Sequence, residues 1–169
     1  MPKVSVLLPT HNAPELLKIA IDSVLAQEHE NLECLVVCDG CTDHTVEVVN
    51  NYNDPRVFCF DLPKAPGFGY ANRNRVLHEA TGDYIAYMTH DNIMVTDHLS
   101  TAIEVLEQED QLDIVFMRSL YVSRDLTIVP NTFALGDPNI LADFLESRRN
   151  RIHSDCTIHR RCCFDRFGY

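Results

Sequence analysis

A chain of 169 residues, 46% of them hydrophobic, is long enough for one domain and apolar enough to bury a core, which excludes a disordered chain. Its formal net charge is −11, and Lys3, Lys18 and Lys64 are its only lysines, which argues against nucleic acid as a partner. No run approaches the ~20 apolar residues that span a bilayer. Met1-Pro2-Lys3 leads straight into a strand without a secretory pattern. The seven cysteines, odd in number and several of them inside apolar strands, read as reduced thiols of a cytoplasmic protein.

In chain order, Val4 to Leu8 has the length and composition of a buried strand, ended by Pro9. Pro14 suits the first turn of a helix, where its missing N–H costs nothing. Leu16, Leu17, Ala20, Ile21, Val24 and Leu25 then recur at helical spacing. Leu32 to Cys38 reads as a second strand, broken by Asp39-Gly40. Thr42 or Asp43 suits the cap of a helix bearing Val46, Val48 and Val49. Arg56 to Phe60 reads as a third strand, and the Pro- and Gly-bearing loop Leu62 to Gly69 leads into a helix through Leu77 to Ala80. Gly82 stops that helix. Tyr84 to Met88 is then a fourth strand, Val95 to Gln108 a helix, and Ile114 to Val122 one further strand. From about Asn131 onward the pattern is less regular, and the basic run Arg148-Arg149-Asn150-Arg151 reads as a solvated helix end.

Strands alternating with helices imply an α/β fold, a mostly parallel sheet flanked by helices and joined by right-handed crossovers. The unbroken apolar strands agree with burial on both faces. Such a sheet binds ligands outside the carboxyl ends of its strands. Three polar clusters stand there, Thr10-His11-Asn12, Asp39 and His90-Asp91, and they predict one convergent site.

These residues also carry a resemblance. Val4 to Asn12 with Ser23-Val24-Leu25-Ala26-Gln27 is similar to the opening of family 2 glycosyltransferases, and Val36 to Asp43 to their second-strand motif. Gly69 through Arg73-Asn74, followed by Ala80 to Ile85, resembles the segment leading to their metal motif. Thr89-His90-Asp91-Asn92 falls at that motif. Each motif alone is moderately specific, and the four in order span nearly the whole chain. The resemblance implies the nucleotide-diphospho-sugar transferase fold called GT-A over residues 1–169. Residues 1–110 would be the nucleotide-binding part and 111–169 the start of the acceptor-side part.

The resemblance implies roles as well. The partners would be a nucleoside-diphosphate sugar donor, a UDP-sugar by default, and a saccharide or other acceptor hydroxyl, with transfer by inversion. A divalent cation, Mg2+ or Mn2+, would offset charge building on the diphosphate leaving group, and Asp91 matches its carboxylate ligand. Where the family has a ribose-contacting Asp, this chain has His90, whose imidazole can still hydrogen-bond a ribose hydroxyl. Asp39 matches the carboxylate that accepts a base N–H, which suits uracil, thymine or guanine. Thr10 and His11 match positions lining the nucleoside, with Pro9 and Asn12 in the same nucleotide-binding set. Arg73 matches an Arg beside the diphosphate. Asn74 is expected to support the fold through hydrogen bonds. The family's general base follows a stretch like Phe167-Gly168-Tyr169, so no residue here is assigned to it and the chain reads as ending before it.

Other chemistries fit less well. Cys34-x3-Cys38-x2-Cys41 has the spacing of a radical iron–sulfur motif, but Cys34 and Cys38 in one strand stand roughly 13 Å apart on one sheet face, too far for one cluster. His153, Cys156, His159, Cys162 and Cys163 match no zinc-finger spacing. The loop Pro9 to Ala13 lacks the Gly and basic residues of a nucleotidyltransferase or dehydrogenase phosphate loop. A degenerate domain that binds nucleotide sugar without transfer remains the alternative, favoured by His90 and by the missing base.

Overall fold

A computed structural model describes residues 1–67, 69–123, 125, 127–130, 155 and 157–167. The elements are β1 (Val4–Thr10), α1 (Pro14–Leu25), β2 (Leu32–Asp39), α2 (Thr45–Asn50), β3 (Val57–Leu62), α3 (Tyr70–Leu77), β4 (Tyr84–Tyr87), α4 (His98–Gln108), β5 (Ile114–Phe116), β6 (Leu120–Val122), β7 (Ile128–Pro130), β8 (Thr157–Arg160) and α5 (Cys163–Phe167). The main sheet has the order β3-β2-β1-β4-β8-β5. Its first four strands run parallel, and β8 is antiparallel to both β4 and β5. Strands contributed after residue 110 thus complete the sheet begun by the first four.

The two-residue period of the strands divides the core into two layers. Val4, Val6 and Leu8 of β1 and Cys34, Val36 and Cys38 of β2 face α1 and α4, which supply Leu17, Ile21, Val24, Leu99 and Leu106. Leu7, Leu35, Val37 and Ile85 face the opposite way, onto Val76, Leu77 and Ala80 at the end of α3. Cys34 and Cys38 are therefore buried in one apolar layer as free thiols, which suits small hydrophobes.

Several expected boundaries shift: α2 is capped at His44 and not at Thr42 or Asp43, β3 runs over Val57–Leu62, and α3 ends at Leu77 short of Ala80. The single strand foreseen over Ile114 to Val122 is two: β5 joins the main sheet, while β6 pairs antiparallel with β7 in a separate ribbon. Polar Arg118-Ser119 interrupts the apolar run between them. Helix α4 begins at His98 and not at Val95, because the carbonyls of Val95 and Thr96 are taken by Gln27 Nε2 (2.7 Å) and the Glu28 N–H (2.9 Å). Among the described residues, no helix is long and apolar enough to cross a membrane.

The amino ends of the strands are pinned by a buried carboxylate. Glu33 accepts from Lys3 Nζ (2.6 Å), Ser5 Oγ (2.5 Å), the Thr81 N–H (2.7 Å) and Thr81 Oγ1 (2.9 Å). The Gly82 N–H donates to Ser5 Oγ (2.8 Å), and a Cβ at residue 82 would come 2.6 Å from the Ser5 nitrogen. Only glycine fits there. Burial pushes the Glu33 pKa up, but the bonds from Lys3, Ser5 and Thr81 outweigh it and hold the pKa below its ordinary value. A depressed carboxyl pKa stabilises the fold above the unfolded-state pKa, and that contribution is lost as pH falls through the folded-state value. Glu33→Gln is expected to cost about 2 kcal/mol in urea denaturation at neutral pH. The gap from the unsubstituted chain should close on acidification; a gap independent of pH would contradict this account.

Candidate functional site

The carboxyl ends of β1, β2 and β4 open on one cavity of about 310 Å3, lined by Pro9, Thr10, His11, Asp39, Lys64, Gly69, Thr89 and His90. Five of the eight residues expected from the sequence thus meet there. Asn12, Arg73 and Asp91 lie outside its lining.

Asp39 ends β2 and is 1% exposed. Its Oδ2 accepts from Lys64 Nζ (2.7 Å), and its Oδ1 accepts from the Ala65 N–H (2.9 Å) and Asn72 Nδ2 (2.7 Å). Burial works to raise its pKa; the hydrogen bonds from Lys64, Ala65 and Asn72 prevail and hold it below the ordinary value, so it stays ionised. Three donors leave part of an ionised carboxylate's capacity unused. Lys64 is the adjustable donor, since its side chain remains 51% exposed.

The backbone brings these groups together. Gly40 has φ +66°, and a Cβ there would meet the Lys64 backbone nitrogen at 2.6 Å. Any side chain would push the Lys64 loop off Asp39. Just after β1, His11 donates from Nδ1 to the Asp39 carbonyl oxygen (2.9 Å), which leaves its exposed ring at the cavity edge. Thr10 is 3% exposed, and its Oγ1 is buried without a hydrogen-bond partner. A buried hydroxyl left unpaired inside a cavity is an unfilled demand for a partner.

The three residues outside the lining have these surroundings. Asn12 adopts a left-handed φ of +48°, a region asparagine tolerates. Its side chain accepts from the Thr42 N–H (2.8 Å) and donates to Thr42 Oγ1 (3.1 Å), tying the β1–α1 loop to the loop after β2. Arg73 lies in the first turn of α3, its guanidinium carbon 4.6 Å from the Tyr70 ring centroid and 4.7 Å from that of Tyr87. Burial pushes its pKa down. Asp91 is exposed and accepts from Thr89 Oγ1 (2.5 Å). Asp155 Oδ2 lies 3.5 Å from the same hydroxyl, which also accepts from Asn92 Nδ2 (2.7 Å).

Lys64, Gly69, Thr89 and Asn72 are site residues that sequence reasoning missed. Asn72 was legible in principle, because it precedes Val76 by four residues on the buried stripe of α3. The support expected from Asn74 falls to Asn72; Asn74 is exposed. Lys64 leaves no periodic trace, being a loop residue. In the late His/Cys group, His153 and Cys156 lie outside the described residues, as does the basic run 148–151. His159 has both ring nitrogens hydrogen-bonded, Cys162 is exposed, and Cys163 Sγ lies 3.7 Å from the Asp113 carbonyl oxygen.

Asn72→Ala should destabilise the chain by about 1–3 kcal/mol, since it strips a donor from a buried carboxylate. Lys64→Ala should cost less than about 1 kcal/mol, because half its side chain is in solvent. Urea midpoints rank the two, and the reverse order would overturn this assignment of structural weight.

Comparison with known proteins follows the same lines. A sequence model of Glycosyl transferase family 2 matches residues 5–166. An Escherichia coli protein, the UDP-Glc:alpha-D-GlcNAc-diphosphoundecaprenol beta-1,3-glucosyltransferase WfaP, is 30% identical over 129 residues, covering 76% of this chain and 50% of that protein. Among solved structures, the mannosyltransferase PcManGT of Pyrobaculum calidifontis in complex with GDP-Man and Mn2+ superposes with a TM-score of 0.69 at 22% identity, over 99% of this chain and 47% of that one. S. aureus TarS in complex with UDP-GlcNAc gives 0.76 at 20% identity, over 97% and 47%. These likenesses identify the fold as GT-A. The chain spans half or less of the length of the curated relatives it matches. With the family's pattern matched almost end to end, the chain belongs to glycosyl transferase family 2.

Proposed function

We propose that this chain binds a nucleoside-diphosphate sugar, a UDP-sugar by preference, as the donor-binding part of an inverting glycosyltransferase. The observation that carries the reading is the buried, ionised Asp39 carboxylate at a cavity lined also by Thr10, His11, Lys64 and His90. A carboxylate accepts from the ring N–H of uracil, thymine or guanine and repels the unprotonated ring nitrogens of adenine and cytosine. Lys64, beside it, supplies a donor for the adjacent base carbonyl. Relatives whose names carry UDP-Glc and UDP-GlcNAc favour uracil, and a neighbour bound to GDP-Man keeps guanine in view.

The remaining residues fall along such a ligand. Pro9, Thr10, His11 and Asn12 border the nucleoside, and His90 offers its imidazole to a ribose hydroxyl. Arg73 has no hydrogen-bonded acceptor among the described residues, so its N–H groups are available to the diphosphate. The described residues hold no group of three His, Cys, Asp or Glu that could enclose a metal. That fits a hard cation held by one or two carboxylates together with substrate phosphates, and it does not fit an all-protein cage. Asp91 is the carboxylate that would hold it, and bound Mg2+ or Mn2+ would supply charge for the departing diphosphate. In the transfer, an acceptor hydroxyl oxygen bonds to the anomeric carbon, the bond to the diphosphate oxygen breaks, and a carboxylate base takes the hydroxyl proton. That base is assigned to no described residue.

Calorimetric titration with UDP, dTDP, GDP and ADP, each with Mn2+ or Mg2+, tests the reading. UDP should bind most tightly and ADP least; binding of ADP alone, or of none, would sink it. Asp39→Ala should weaken UDP binding roughly tenfold, as expected for loss of a charged hydrogen bond. Asp91→Ala should abolish the gain in affinity given by Mn2+ while leaving the melting temperature unchanged. Binding without any detectable sugar transfer by the full-length protein would favour the second reading, a degenerate domain, which His90 in place of an acidic residue also favours.

A further inference from the structure

Beside the cavity runs a chain of buried contacts that donor binding as described above leaves unused. His159, on β8, is 7% exposed. Its Nδ1 lies 2.9 Å from the Arg160 carbonyl oxygen, its Nε2 lies 3.0 Å from the Tyr87 hydroxyl, and its ring meets Phe164 edge-on at 4.9 Å. The Tyr87 ring face in turn lies 4.7 Å from the Arg73 guanidinium carbon. We infer that His159 is a positioning residue for donor binding, holding Arg73 in place through Tyr87 so that its N–H groups face the diphosphate. This rests on the assignment of Arg73 to the diphosphate made above.

The directions of the hydrogen bonds follow from the acceptors. A carbonyl oxygen cannot donate, so Nδ1 carries the proton and donates to Arg160. In the neutral ring Nε2 is then an acceptor, and the Tyr87 hydroxyl donates to it. Burial favours this neutral form by pushing the His159 pKa down. Donation draws the phenol toward phenolate character, which enriches its ring face and strengthens its hold on a cation. The two rings over Arg73 are not equivalent: Tyr70 is 55% exposed, whereas Tyr87 is half-buried and anchored at its hydroxyl. Among the described residues no acceptor is hydrogen-bonded to the guanidinium, so the aromatic faces set its place, with Asp155 acting on it only through charge. Tyr87 is the fixed wall, and His159 fixes it.

Affinities for UDP and for uridine, measured by NMR titration of the unsubstituted chain and of Tyr87→Phe, His159→Leu and His159→Gln, test this. Uridine reports base reading alone, and UDP adds the diphosphate. Tyr87→Phe and His159→Leu should weaken UDP by about five- to tenfold, the size of one lost buried hydrogen bond, and leave uridine within about twofold. His159→Gln, whose amide oxygen can accept from Tyr87, should recover most of the UDP affinity. Equal weakening of both ligands, no weakening of UDP, or a Gln variant as weak as the Leu variant would overturn the inference. Should His159→Leu fail to fold, Tyr87→Phe still decides, because it removes one hydroxyl and keeps the ring. An unsubstituted chain that binds UDP no better than uridine would instead refute the role of Arg73 itself, before any variant is compared.

Discussion

The end of β2 is organised by one requirement: a carboxylate buried at the edge of a parallel sheet must be matched by donors or it costs several kcal/mol. Asp39 meets it by recruiting three donors from one stretch of chain, Lys64 and Ala65 in the β3–α3 loop and Asn72 in α3. The Asn72 amide also donates to the Pro63 carbonyl oxygen (2.8 Å), so one side chain closes the loop on itself and on the strand. Gly40 must lack a Cβ for the Lys64 backbone to come this near. Gly69, with φ +84°, lets the chain turn into α3 with its Cα side 3.4 Å from Pro9 for any added Cβ. The cavity is what remains between these constraints and the end of β1.

The cavity lining does not share the acidity of the whole chain, since its one carboxylate, Asp39, is paired with its one lysine, Lys64. A protein of net charge −11 repels a nucleoside diphosphate at long range, but over distances beyond about 10 Å that repulsion is screened at physiological salt. Near contact the local cations decide. Lys64 and Arg73 flank the site from the same loop and helix, and they are held differently. Lys64 is paired with Asp39 and half in solvent. Arg73 rests against aromatic faces, which hold a cation without consuming its N–H groups. The second arrangement leaves the guanidinium without a hydrogen-bonded acceptor among the described residues, where a carboxylate partner would have occupied its N–H groups.

The parts of the fold legible in the sequence are those with strong periodicity. Unbroken apolar runs marked β1 and β2, and three- and four-residue spacing marked α1. The rule that ligands lie beyond the carboxyl ends of parallel strands put Thr10, His11, Asp39 and His90 at one site without knowledge of any contact. What stayed hidden depends on tertiary contact. The split of Ile114 to Val122 into β5 and β6 depends on which partner each half finds, and both partners, β8 and β7, lie later in the chain. Lys64 belongs to the site only because Gly40 admits its backbone. The aromatic seat of Arg73 depends on β4 bringing Tyr87 over it, a contact between residues with no relation in sequence spacing.

Comparison of the two buried carboxylates sharpens what the Asp39 end of the sheet is for. Glu33, at the amino ends of the strands, takes four hydrogen bonds, and Lys3 and Thr81 among its donors reach toward solvent. Thr81 supplies two of them from a turn clamped against Ser5 by Gly82. Asp39 is as deeply buried and also has a lysine among its donors, but it takes three bonds, its lysine is the more exposed of the two, and an exposed imidazole stands beside it. Stability alone would favour saturating both ends alike. A structure that fills four acceptor positions on one carboxylate and three on the other keeps unused hydrogen-bonding capacity at the end where parallel sheets bind their ligands.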